Sequence, residues 1–308
     1  MQIGFAWATM RGPGGTSIGA WQVTRQIGWS AGSFAPSRRD CEQLMESVQV
    51  RDDVVISYED DYFGPPWIEP PVALLVHGIA ESSRAWTQWL PVLASKLRVI
   101  RPDLPGFGRS PMPATYDWTP GQCAADLVRF LDILGIQRVH LVAAKYGGTI
   151  AMQLAGEFPD RVMSLSIFSS PANGLITDAA ERVQASSVWQ WAEESQRARL
   201  GSAVPEAQIR WWTDELMGKS DPRAVIGSNH AIRESDVTAQ LGRITAPTLI
   251  VTTENSRLQS VETARKYQVL IPNSRLEVMA GDHYHAAAVE PERCAQMVLG
   301  LIDDSAAR

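Results

Sequence analysis

The sequence predicts an α/β protein: a mostly parallel, doubly wound sheet with a block of helices inserted into it as a cap. Three observations predict it. Short continuous apolar runs, such as Val72-Ala73-Leu74-Leu75-Val76 and Leu249-Ile250-Val251, have the character of strands covered on both faces. Segments of helical periodicity separate these runs, the alternation expected of crossover connections and a parallel sheet. From about residue 170 to 243 the strand pattern stops and only helical segments follow, after which the sheet resumes. The chain therefore divides into an irregular extension (1–45), a first part of the α/β core (46–170), a helical cap (171–243) and a second part of the core (244–308).

Taken in order, residues 1–45 are rich in Gly, Ser and single Trp residues and show no clean periodicity. Ser47 to Tyr62 alternates as a hairpin turning at Asp52-Asp53. The proline-rich stretch from Gly64 to Pro71 is a connector, since proline neither donates to a ladder nor continues a helix. A strand over 72–76 ends at His77-Gly78. Next come a helix from Trp86 to Leu97, a strand over 98–101 and a Gly- and Pro-containing loop to Ser110. A helix (119–134), a strand (138–143), a helix (146–157) and a strand (162–168) complete the first part. The cap helices carry Trp189, Trp191, Trp211 and Trp212, which serve either the packing of the insert or a pocket wall. A strand from Thr248, a helix (260–270), a strand (275–279) and a last helix (291–302) follow.

Composition narrows the class of function. A net charge of −6 disfavours a nucleic-acid surface or an anionic membrane as partner. Cys41, Cys123 and Cys294 are odd in number and widely spaced, which indicates neither a disulfide framework nor a metal site, and no cofactor is expected. The N-terminal stretch lacks the basic start and apolar run of a signal peptide, and no apolar run approaches about 18 residues. The expectation is a soluble, cytoplasmic protein, with a homodimer allowed.

The organising stretch runs from Val139 to Met152. A buried-strand run enters a sharp turn, and Gly147-Gly148 then open an apolar helix, as in a nucleophile elbow that holds one side chain at the top of a sheet. The side chain at that point is Lys145. Lys96, Lys145, Lys219 and Lys266 are the only lysines among 28 basic residues, so a lysine inside an apolar turn stands out.

With these residues in view, the chain resembles the α/β-hydrolase fold superfamily over about residues 47–305, in particular its capped branch of C–C hydrolases, esterases and epoxide hydrolases. His77-Gly78-Ile79-Ala80 is similar to the family's oxyanion loop, Asp103 to Ser110 to the loop after the next strand, Ala246 to Ile250 to the strand before the acid, and Gly281-Asp282-His283-Tyr284-His285 to the histidine loop. The resemblance implies backbone donors at Ile79 and Tyr146 that form an oxyanion hole, and a histidine at His285, with His283 as the alternative. The departures are Ala143-Ala144-Lys145-Tyr146-Gly147 in place of Gly-x-Ser-x-Gly, and Thr253-Glu254-Asn255-Ser256 where a Gly-x-x-Asp is expected.

A lysine at the elbow points to altered chemistry. Burial and the positive end of the following helix both disfavour its ammonium, which leaves an amine able to form a Schiff base or act as a base. The alternative is structural: Lys145 pairs with Glu81 or Glu254 and only holds the cavity together. Glu254 is the carboxylate nearest the missing acid, and Ser256 is a further candidate. His77, Gly78, Glu81, Ser82, Trp86, Trp189 and Trp212 are expected around the substrate, although Ser82 suits a helix N-cap equally well. The expected activity is hydrolysis or C–C bond cleavage of a small, apolar or aromatic carbonyl compound. A non-hydrolytic lyase, decarboxylase or isomerase and a catalytically silent ligand-binding protein are the alternatives.

Overall fold

A computed structural model describes residues 8–11, 17–20, 46–175, 177–256 and 259–306. The chain forms two units, Met1–Leu44 and Met45–Arg308. In the first, β1 (Ala8–Arg11) pairs antiparallel with β2 (Ser17–Ala20). The extension expected to be irregular therefore contains a ladder. The sequence Gly12-Pro13-Gly14-Gly15 between the two strands is the turn signal that four-residue strands were too short to reinforce. The rest of the 1–45 expectation lies outside the described residues.

The second unit carries an eight-stranded sheet. Its strands are β3 (Glu46–Arg51), β4 (Val54–Asp61), β5 (Val72–Val76), β6 (Arg98–Pro102), β7 (Val139–Ala144), β8 (Val162–Phe168), β9 (Thr248–Thr253) and β10 (Ser274–Met279). Their spatial order is β10-β9-β8-β7-β5-β6-β4-β3. Pairings from β6 through β10 are parallel, and only the β3/β4 and β4/β6 pairs are antiparallel. The alternation over 47–62 thus becomes the expected hairpin, with a bulge between Gln49 and Arg51. All six residues of β7 and all six of β9 are buried, as continuous apolar runs require.

Helices cover both faces. They are α1 (Leu90–Leu93), α2 (Pro120–Ile133), α3 (Tyr146–Glu157), α4 (Ala179–Ala185), α5 (Val188–Leu200), α6 (Glu206–Arg210), α7 (Pro222–Glu234), α8 (Thr238–Leu241), α9 (Val261–Gln268), α10 (Ala286–Val289) and α11 (Pro291–Ala306). Helix α2 starts as its sequence dictates, with the Thr119 side chain accepting from the Gln122 N–H and Pro120 in the first turn. The helix expected over 86–97 differs. A 3₁₀ segment, Ser83–Trp89, precedes the short α1, which begins at Leu90 with Pro91 in its first turn, and the missing N–H of Pro91 keeps the two from forming one continuous ladder.

Two apolar cores result, one on each face. Leu74, Val76, Leu141, Ile150 and Leu165 belong to the first, Leu75, Trp89, Val142, Phe168 and Val298 to the second. Each such side chain fully buried contributes about 1.5–3 kcal/mol, so the central strands are the most rigid ground available for a site. Helices α4 to α8 follow β8 and precede β9. Among the described residues no helix is long and apolar enough to cross a membrane.

Candidate functional site

Backbone strain marks the place. Among the described non-glycine residues, only Ala80, Lys145 and Ser169 have positive φ, at 59°, 55° and 50°. They sit just past the C-terminal ends of β5, β7 and β8, three adjacent strands, and strain confined to one edge of a sheet accompanies function more often than stability. The turn at Lys145 is held by its N–H donating to the Phe168 carbonyl (3.0 Å) and its carbonyl accepting from Gly148 (3.0 Å). A side chain on Gly147 would fall on the carbonyl oxygens of Val76 and His77, so this glycine lets α3 approach the end of β5 directly, while one on Gly148 would meet the Ser170 side chain.

Three ionisable groups from three loops converge there. Glu81 Oε1 contacts Lys145 Nζ and lies 3.0 Å from His285 Nε2, while Glu81 Oε2 accepts the Gly78 N–H at 3.0 Å. The side chains of Glu81, Lys145 and His285 are 1%, 5% and 3% exposed, so their charges act with little solvent screening. Despite the short distances, Lys145 Nζ, Glu81 Oε1 and both ring nitrogens of His285 lack well-directed hydrogen bonds among the described residues. The groups are in contact but not locked.

Their electrostatics follow from burial and from one another. Burial alone would raise the Glu81 carboxyl, but Lys145 and then His285 hold it well below the usual carboxylate range. Burial depresses the Lys145 amine below an ordinary lysine, against the pull of Glu81, and Arg199 pushes in the same direction. Burial and the Lys145 charge lower His285 to about 4, with Glu81 opposing. The result is one anion, one cation whose proton is more easily lost than usual, and a neutral imidazole.

Lys145 faces a cavity of about 70 Å³ lined by Ile79, Tyr146, Leu175, Thr177, Trp191, Arg199, Asn229, Ile232 and Tyr284 as well. Its floor comes from the sheet edge and its walls from α5, α7 and the loop after β8. The backbone N–H groups of Ile79 and Tyr146 have no acceptor among the described residues. Tyr146 is fixed by its hydroxyl donating to the Trp118 carbonyl.

The structure brings Lys145, His285, Glu81, Gly78, Ile79 and Tyr146 together and leaves other expected residues apart. Glu254 is exposed at the end of β9, and Lys145 and His285 both turn to Glu81 instead, four residues past His77. Ser256 caps the Gln259 N–H at 3.3 Å. His283 is buried 3.9 Å from Glu290, its carbonyl accepting from Thr253. His77 is fully buried: Nδ1 donates to the Gly78 carbonyl (2.7 Å) and Nε2 accepts from Leu104 (2.9 Å), so it ties the loops after β5 and β6 rather than lining the cavity. Ser82 accepts from Arg84 as an N-cap, and Trp86 packs edge-on against Trp89, with centroids 5.0 Å apart. Trp189 is 44% exposed and donates to Asp214. Trp212 sits edge-to-face on the His285 ring at 4.9 Å and orients it.

Arg199, Asn229 and Tyr284 were not foreseen, whereas Trp191 is one of the four tryptophans expected either to pack the insert or to wall a pocket. Trp191 lies two positions from Trp189 and so on another face of the same helix, which helical spacing reveals. Tyr284 stands between the two histidines singled out. Nothing in the sequence distinguishes Arg199 from the other arginines. Among the described residues, no three His, Cys, Asp or Glu side chains are arranged to hold a metal ion.

Comparison with known proteins agrees with the architecture. Over 150 residues the chain is 33% identical to an uncharacterized protein of Mycobacterium bovis, covering 49% of this chain and 42% of that one, so it spans less than half the length of that relative. Over 230 residues it is 27% identical to a putative carbamate hydrolase of Pseudomonas savastanoi pv. phaseolicola, covering 68% of this chain and 85% of the relative. Among solved structures, the enol-lactonase from Burkholderia xenovorans LB400 has a TM-score of 0.75 at 17% identity, covering 84% of this chain and 100% of the other, a likeness of fold alone. A sequence profile described as alpha/beta hydrolase fold matches residues 71–292, which take in both halves of the parallel sheet, the turn at Lys145 and the loop of His285. The chain therefore belongs to the alpha/beta hydrolase fold family.

Proposed function

We propose that this protein is an enzyme acting on a small carbonyl compound, by hydrolysis or C–C bond cleavage, with Lys145, Glu81 and His285 standing where a nucleophile, an acid and a histidine would. One observation supports the proposal: Lys145 lines the cavity together with Ile79 and Tyr146, whose backbone N–H groups have no acceptor among the described residues. A carbonyl oxygen seated between Ile79 and Tyr146 gains two fixed donors, and the Lys145 ammonium adds a third where negative charge develops. Ile79, Leu175, Trp191 and Ile232 favour an apolar or aromatic body on the substrate. Cleavage through an acyl-lysine is excluded on chemical grounds, because the amide formed would not turn over.

A second reading, a lyase, decarboxylase or isomerase, draws on the downward shift of the Lys145 amine. In that route Lys145 first loses its proton to solvent, which burial of the amine favours. The free amine then adds to the carbonyl carbon, water leaves, and the iminium accepts electrons from the adjacent bond. Borohydride reduction in the presence of candidate ketones and aldehydes, followed by mass spectrometry, separates the two: a secondary amine at Lys145 supports the Schiff-base route, and its absence with an active substrate rules that route out. Wild type, Lys145→Ala and Lys145→Ser compared on esters, lactones and β-diketones test the proposal itself. Activity of wild type lost by at least about a hundredfold in Lys145→Ala is expected. If wild type is inert throughout and Lys145→Ser gains esterase activity, the protein is a ligand binder and the enzymatic proposal falls.

A further inference from the structure

We propose that Arg199 makes the cavity an anion site, and that the carbonyl compound it takes carries a carboxylate. This rests on the proposed function for the carbonyl but not for the anion. Arg199 lies in the last turn of α5 and lines the same cavity as Lys145. Its guanidinium stacks 4.8 Å over the Trp191 ring, and its Nε donates to Ser195 Oγ at 3.3 Å. Among the described residues no carboxylate pairs with it, whereas Arg182, Arg197, Arg210, Arg223 and Arg233 in the same helical insert are each paired with one.

A half-buried arginine left without a carboxylate partner in a largely apolar wall is costly, and burial weakens its hold on its proton. Guanidinium nevertheless stays charged in proteins, so the cost persists until an anion arrives. The charge count of the site specifies how much anion. Glu81 balances Lys145, and His285 is neutral, which leaves the Arg199 charge as the excess. One negative charge completes the site. The planar fork of a guanidinium matches a carboxylate in two parallel hydrogen bonds, and stacking on Trp191 fixes the plane of that fork. Tyr284, kept neutral by burial, and Asn229, whose amide nitrogen donates to the Val225 carbonyl at 2.7 Å, line the same space. Arg199 is also tied to the histidine loop, since its carbonyl accepts the His285 N–H at 2.9 Å. The anion site and the reacting centre are therefore held at a fixed spacing.

The test reads binding rather than turnover. A panel of stable 2- and 4-oxo acids, among them 4-oxo-4-phenylbutanoate, and the matching primary amides are titrated calorimetrically against wild type, Arg199→Met and Arg199→Lys. In wild type an acid should bind at least about tenfold more tightly than its amide, the discrimination expected of a charge-assisted bidentate pair. Arg199→Met, which keeps the apolar stem, should abolish that preference, and Arg199→Lys should retain part of it. Equal binding of acid and amide to wild type overturns the proposal without recourse to any variant. So does a preference that survives in Arg199→Met, or failure of every acid to bind below about 10 mM. A silent ligand-binding protein would pass this test and fail the Lys145 comparison, so the two proposals fail separately.

Discussion

Glu81 and Lys145 meet across the gap between two loops, with Glu81 Oε1 against Lys145 Nζ and both side chains all but removed from solvent. The loop of Glu81 follows β5 and the turn of Lys145 follows β7, adjacent strands whose register pairs Val76 with Ala143. Sheet pairing thus delivers the two groups to the same place whether or not they attract. What they gain from each other must offset the loss of water around two charges, and in a buried pair that balance is close.

The pair therefore predicts an asymmetric mutational response. Glu81→Gln leaves an uncompensated ammonium in a dry site and should cost about 3–5 kcal/mol in urea unfolding at pH 7. The double variant Glu81→Leu with Lys145→Met removes both charges and should recover most of that loss. A Glu81→Gln protein within about 1 kcal/mol of wild type would mean the two groups are not ionised together.

The glycines behind the elbow predict a second contrast. A methyl group at Gly147 meets the carbonyl oxygens of Val76 and His77, which cannot move without breaking β5, so Gly147→Ala should cost about 3 kcal/mol, at the upper end for overpacking. At Gly148 the obstacle is the Ser170 side chain, which can be removed. Gly148→Ala should destabilise alone, and Ser170→Gly in the same chain should restore about half the loss or more. Unfolding midpoints of the four proteins decide it.

The contrast between what the sequence disclosed and what it withheld has a physical reason. Strands β5, β7 and β9 are legible because burial on both faces demands unbroken apolar runs, and α3 because Gly147-Gly148 follow the strand directly. Lys145 is legible because it violates that pattern. Its partner was not decided, because Glu81 and Glu254 both follow a strand end, and only the left-handed turn at Ala80 folds Glu81 back over the elbow. Trp189 and Trp191 look alike in composition, yet one is on the surface and the other lines the cavity, since two residues along a helix turn through about 200°. His77 is expected around the substrate from sequence and is a structural tie, a difference set by the Leu104 N–H, which arrives from 27 residues away.

The buried histidines predict how stability depends on pH. His140 and His285 are both lowered from 6.5 to about 4, chiefly by burial, and His77 and His283 shift in the same direction. Between about pH 6.5 and 4 the unfolded chain therefore binds protons that the folded chain refuses. Stability is complete above 6.5 and falls as pH drops through that window, by about 3 kcal/mol for a shift of this size at one buried site. Glu81 adds to the loss from about its ordinary value of 4.5 downward, where the unfolded carboxylate takes up a proton that the folded one, held well below the usual range, refuses. Lys145 acts at the other end. Its lowered amine means that stability rises with pH as the unfolded lysine alone stays protonated, up to the ordinary value of 10.5. Urea unfolding from pH 4.5 to 10 should show both slopes. His140→Gln, remote from the cavity, should remove about one proton from the acid slope and leave ligand binding intact. Lys145→Met should flatten the alkaline slope and, by removing the charge that lowers His285 and Glu81, also alter the acid limb. An acid slope unchanged in His140→Gln would show that its ring is protonated in the fold, with Ser164 Oγ, 2.9 Å away, accepting from it.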